Sequence, residues 1–171
     1  AAWSNFPLPA LYRRVLGEFD HAAVRAAPLV LANSAYSRES LYRTYGIFAR
    51  VCYLGVDTQR FRPLSLSRGE FVLSVGALNP RKGFGFLVRS VALIPARRRP
   101  PLVIVSNFEG PGERHYLEEL ASRLGVSLEI RVRIEDDELV QLYSEAVLTL
   151  YAPVMEPFGF VPLESMACGT P

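Results

Sequence analysis

The sequence predicts an α/β protein whose strands form a parallel sheet. Three observations carry that prediction. From Phe71 onward, apolar runs of strand length alternate with segments of helical periodicity. The runs are almost continuously apolar, as strands covered on both faces are. Glycine, proline and acidic residues fall between them at helix-start and helix-stop positions.

Taken in order, Leu29–Ala32 reads as a short strand and Asn33-Ser34 as candidate caps for a helix running to about Tyr45, with Gly46 as its stop. Val51–Leu54 reads as another short strand. The Gly55-Val-Asp-Thr turn and Phe61-Arg-Pro63 lead into a polar stretch, so the expected division is 1–64, a linker at 65–69, and a second domain at 70–171. In the second domain, 71–75, 102–106, 128–134 and 147–151 are the expected strands. The expected helices are 84–93, about 112–124 with Gly125 as its stop, and one opened by Glu135-Asp-Asp-Glu138, whose negative charge suits the positive helix end. Leu139, Leu142 and Tyr143 supply that helix's buried stripe. Pro162 is expected at the first position of a last helix that Gly169 and Pro171 end.

Composition bounds the function. At 171 residues, 50% hydrophobic and 21% charged, the chain is long enough for a packed core. It begins at Ala1 without Met and stops just after the last helix, so truncation at both ends is the expectation. A net charge of +2 makes no case for a nucleic-acid partner. Arg97-Arg98-Arg99 reads as a solvated loop, with contact to anionic headgroups at a membrane surface as the alternative. Cys52 and Cys168 show no pairing or metal spacing, which suits a reducing compartment and a cytoplasmic location. Asp136 and Asp137 are adjacent, and His21 and His115 are isolated in the chain, so no metal is implied.

Two loops carry the chemistry. After the strand at 71–75 comes Gly76-Ala-Leu-Asn-Pro-Arg81-Lys82-Gly83, where Lys82 as a point charge and Arg81 as a fork suit a pyrophosphate. An exposed turn is the alternative. After the strand at 147–151 comes Glu156-Pro-Phe-Gly-Phe-Val-Pro-Leu-Glu164, in which Gly159 admits close backbone approach and the N–H groups of Phe160 and Val161 open a helix. Both loops leave the carboxyl edge of one sheet, where open α/β sheets bind ligands. Glu164 alone also reads as a residue stabilising the helix dipole.

With Ala32-Asn-Ser34, Gly55-Val-Asp57, Phe61-x-Pro63, Val75-Gly76, Lys82-Gly83 and Glu156-Pro-Phe-Gly-x-x-Pro-Leu-Glu164-x-Met-Ala-x-Gly-Thr-Pro171, the chain resembles retaining, nucleotide-sugar-dependent glycosyltransferases of group 1, or family 4. The resemblance implies a Rossmann-like parallel sheet that is an incomplete C-terminal donor domain of a GT-B fold, preceded by the tail of the N-terminal, acceptor-side domain. It implies that Glu164 receives the donor's ribose hydroxyls and that Glu156 lies near the transferred sugar. Gly76, Gly159, Phe160 and Val161 would meet the diphosphate through backbone, and Lys82 would stabilise the departing nucleotide. Base contact would fall in the loop at 131–134. Many relatives carry arginine where this chain has Ala77, which leaves Arg81 as a candidate substitute. The implied partners are a nucleoside diphosphate sugar and a glycan, lipid or small-molecule acceptor, without cofactor. A non-catalytic nucleotide-sugar-binding module, or a sugar epimerase or phosphorylase of the same architecture, is the alternative reading.

Overall fold

The computed structural model describes residues 7–171, which divide after Leu54 into two compact units. In the first, α1 (Pro7–Ala26) precedes β1 (Leu31–Ala32), α2 (Ala35–Tyr45) and β2 (Arg50–Val51). The two strands pair in parallel, Leu31 with Arg50 and Ala32 with Val51, and are shorter than the apolar runs suggest. The caps of α2 are as expected: Ser34 Oγ accepts from the Ser37 N–H at 3.0 Å, and Gly46 turns left-handed at φ 69°. Helix α1 was not anticipated. Leu11, Val15 and Phe19 recur at helical spacing, but Gly17 interrupts the run.

The second unit is a doubly wound sheet with β3 (Val72–Val75), α3 (Phe84–Ala92), β4 (Leu102–Ser106), α4 (Glu113–Leu124), β5 (Leu128–Val132), α5 (Asp136–Glu145), β6 (Leu148–Thr149) and α6 (Phe160–Ala167). All pairings are parallel and the strand order is β5-β4-β3-β6. The period-2 geometry of the strands sends Val72, Leu102 and Ile104 to one face, where they pack with Phe84, Leu87 and Val88 of α3 and Leu117 and Leu120 of α4. Leu73, Val103 and Val105 go to the other face, against Leu142 and Tyr143 of α5 and Cys168 beyond α6. Right-handed crossovers then require the chain to reverse after β5, which makes β3 and β6 neighbours.

β6 is shorter than the expected strand at 147–151, yet its ladder is extended on both sides: Val147 N donates to Phe71 O at 2.9 Å and Leu150 N to Leu73 O at 2.7 Å. The segment before β3 packs on this second unit. Leu64 N donates to Ser144 Oγ at 3.3 Å, Gly69 N to Glu145 O at 2.7 Å, and Arg68 to Ala146 O at 2.7 Å and Gly169 O at 2.5 Å.

The basic run departs from the solvated-loop expectation at one position. Arg97 and Arg98 are exposed, but the Arg99 guanidinium donates to Ala92 O (2.6 Å), Ile94 O (3.0 Å), Leu124 O (3.0 Å) and Gly125 O (2.7 Å). It thereby holds the C-terminal ends of α3 and α4, where carbonyls lack helical partners and the dipole favours a cation. Arg99→Ala is expected to cost about 2–3 kcal/mol, since these charge-assisted bonds are lost together. Urea unfolding of the two chains measures it, and a loss under about 0.5 kcal/mol would rule out the anchoring role.

Candidate functional site

The order β5-β4-β3-β6 places a topological switch point between β3 and β6, and both motif loops leave the sheet there. After β3, Asn79 Oδ1 accepts from the Arg81 N–H at 3.0 Å and nucleates a single tight turn over Pro80–Lys82. Gly83 ends that turn at φ 73°. The loop after β6 is tied to it by Val154 N donating to Arg81 O at 2.8 Å. These constraints bring Lys82 Nζ to 2.5 Å from Glu156 Oε2, each side chain only 28% exposed. The two residues assigned to the chemistry from sequence, 74 positions apart, are therefore an ion pair.

The Tyr151 phenolic hydroxyl stands near Glu156, and its pKa is pushed up to about 12, first by burial and then by the neighbouring carboxylate. The same hydroxyl lies 3.0 Å from where a Cβ on Gly159 would stand, so a side chain there would crowd the α6 entrance. Helix α6 begins at Phe160, two residues earlier than expected, and Pro162 is its third residue rather than its first. The physical reason is that every first-turn N–H lacks a helical acceptor, so proline is tolerated beyond the first position. The N–H groups of Phe160 and Val161 fall in the first turn, where no helical acceptor precedes them, Pro162 brings none, and no side chain caps the helix.

A cleft of about 440 Å³ opens along the carboxyl edge, lined by Gly76, Ala77 and Lys82 after β3, Asn107 after β4, Arg133 after β5, and Val161 and Glu164 of α6. Arg81 is exposed and lines an adjoining hollow with Asn79 and Glu156, whereas Ala77 faces the main cleft. Within β5, Arg131 is committed to Glu129 (2.7 Å) and Glu138 (3.0 Å). Arg133 instead reaches the cleft from a left-handed backbone, φ 57°. Two side chains on Glu164 and Glu156 were not read as part of the site. Tyr143 Oη donates to Glu164 Oε2 at 2.8 Å, and the Tyr151 phenol lies near Glu156. Arg133 falls in the loop at 131–134 where base contact is expected, and the strand-end rule alone would have found Asn107; the tyrosines required the packing.

Chemically, the cleft offers an ammonium group, an uncapped helix N-terminus with its partial positive charge, and a carboxylate beyond it. A diphosphate fits the first two, and a polyol the third. The fold and the cleft together define a Rossmann-like domain with a cation and a helix N-terminus at its carboxyl edge. Residues 56–171 match the family model described as glycosyl transferases group 1, and the chain belongs to that family. The D-inositol 3-phosphate glycosyltransferase of Acidothermus cellulolyticus is 36% identical over the whole of this chain, which covers 43% of that protein. An uncharacterized glycosyltransferase of Methanocaldococcus jannaschii is 39% identical over 60% of the chain and 26% of its own length. Among solved structures, the sucrose-phosphate synthase of Thermosynechococcus elongatus superposes with a TM-score of 0.79 at 26% identity, over 92% of this chain and 43% of that one. Anabaena HepE in complex with UDP and glucose gives 0.70 at 26%, over 85% and 44%. The chain thus spans less than half the length of these relatives. No helix among the described residues is long and apolar enough to cross a membrane.

Proposed function

We propose that this chain holds the donor site of a retaining glycosyltransferase that moves a hexosyl group from a nucleoside diphosphate sugar to a hydroxyl acceptor, keeping the anomeric configuration. The observation that carries the reading is the Lys82–Glu156 pair at the switch point, with the cleft beside it closed by the α6 N-terminus and Glu164. The complex of HepE with UDP and glucose supports it. In this reading Lys82 neutralises the charge that develops on the leaving diphosphate, and backbone N–H groups at Gly76, Gly159, Phe160 and Val161 share that charge. Glu156 stands against the sugar, where a carboxylate stabilises developing positive charge. Glu164 accepts the ribose hydroxyls. Arg81 supplies additional positive potential from the adjoining hollow. The first compact unit is then the end of the acceptor-side domain, and the acceptor is a glycan, lipid or small molecule bound there.

Calorimetric titration of the 171-residue chain with UDP, GDP and ADP, each beside its monophosphate, tests the donor site. One diphosphate is expected to bind at least about tenfold more tightly than its monophosphate, because the second phosphate gains charge-assisted bonds. Equal affinities, or no binding of any of the six, would sink the reading.

A further inference from the structure

We infer that Tyr143 is a positioning residue for Glu164, its hydroxyl holding the carboxylate in the orientation that receives the donor's ribose. The inference rests on the proposal that Glu164 is the ribose acceptor.

Tyr143 is fully buried on the inner face of α5, packed with Leu73, Val103 and Val105 of the sheet. A buried phenol needs a hydrogen-bond partner, and this one spends its proton on Glu164 Oε2 at 2.8 Å, a group that lines the cleft. The ring is fixed from its other side by Phe61, edge-on at 6.2 Å and 72°. Phe61 in turn carries the Arg60 guanidinium 5.8 Å above its ring, and Arg60 pairs with Asp136. A chain of contacts thus runs from the segment before β3 to the carboxylate.

Burial, and next the charge of Glu164, raise the Tyr143 phenol far above its ordinary range, so it remains a donor. One donated bond leaves an ionised carboxylate with acceptor capacity for hydroxyl ligands. A glutamate on a helix otherwise samples several rotamers, and fixing one before the ligand arrives removes an entropic cost of binding. The role is separable from folding because it predicts a selective loss, confined to ligands that carry ribose hydroxyls.

The test titrates the chain and its Tyr143→Phe variant with whichever of UDP, GDP or ADP binds tightest, and with the 2′,3′-dideoxy form of that nucleotide. The unsubstituted chain is expected to prefer the ribose form by about tenfold or more. In Tyr143→Phe that preference should fall to about threefold or less, while the dideoxy affinity stays within about twofold. A variant that keeps the full preference overturns the inference, as does one that weakens both ligands alike. Glu164→Ala tests the underlying reading by itself: if it leaves the preference intact, Glu164 is not the ribose acceptor. Should Tyr143→Phe lack folded far-ultraviolet dichroism, Phe61→Leu carries the test, because it keeps Tyr143 and Glu164 and removes only the ring that fixes the phenol from the side. A collapsed ribose preference in that chain supports the positioning role, and an unchanged one overturns it.

Discussion

Gly83→Ala is expected to destabilise the second unit by about 3 kcal/mol or more, the largest stability effect we anticipate from adding a single methyl group. Two costs combine. Gly83 has φ 73°, and a left-handed backbone costs a residue with a Cβ about 1–2 kcal/mol. A Cβ there would also stand 2.1 Å from the carbonyl oxygen of Ala152, a backbone atom that cannot swing aside as a side chain can. Relieving such an overlap shifts backbone, at about 1–3 kcal/mol. Gly112→Ala isolates the second cost, since Gly112 shares the sign of φ (75°) but has nothing within 4 Å of the added atom. Guanidinium unfolding of both variants should separate them by at least about 1 kcal/mol. Equal losses would show that the close approach of the two loops contributes nothing. The shift would also pull the β3 loop from the β6 loop, so the Val154 N to Arg81 O bond and the Lys82–Glu156 pair should loosen with it.

That coupling shows which parts of the molecule could be read from sequence. The four strands of the second unit and the helices between them were legible because each signal is local: apolar runs, acidic helix starts, and Gly125 at a helix end. The two loops could be placed on one carboxyl edge because the strands of a parallel sheet share it, whereas the adjacency of β3 and β6 on that edge follows from the strand order. What was not legible depends on tertiary partners. Arg99 differs from Arg97 and Arg98 only in facing two helix ends. Tyr143 has the spacing of a core residue and is one, and only the approach of α6 reveals that its hydroxyl meets a site carboxylate. The closing Gly-Thr-Pro of the long motif is structural: Thr149 N donates to Pro171 O at 2.7 Å, Ser165 Oγ to Thr170 O at 2.9 Å, and Arg68 binds Thr170. A motif read as one signature therefore divides into a half that faces the cleft and a half that fastens α6 to β6.

The Lys82–Glu156 pair yields the prediction with the largest functional effect, and it has two signs. Lys82→Ala should weaken diphosphate binding by about 10–100-fold, the loss of a charge-assisted bond in a partly enclosed site, while the monophosphate changes by less than about threefold. Glu156→Gln should act in the opposite direction. The carboxylate sits 2.5 Å from the ammonium and repels any phosphate that approaches the same cation, so removing its charge should tighten diphosphate binding several-fold. The amide keeps the shape and a hydrogen-bonding oxygen for Lys82, which limits structural loss. In an enzyme this counter-charge would raise the affinity for a sugar carrying developing positive charge at the expense of the free nucleotide, favouring product release. Titrating both variants with the same diphosphate decides the matter. Should Glu156→Gln weaken binding as much as Lys82→Ala does, Glu156 serves to aim the lysine, and the opposed-charge account of the pair fails.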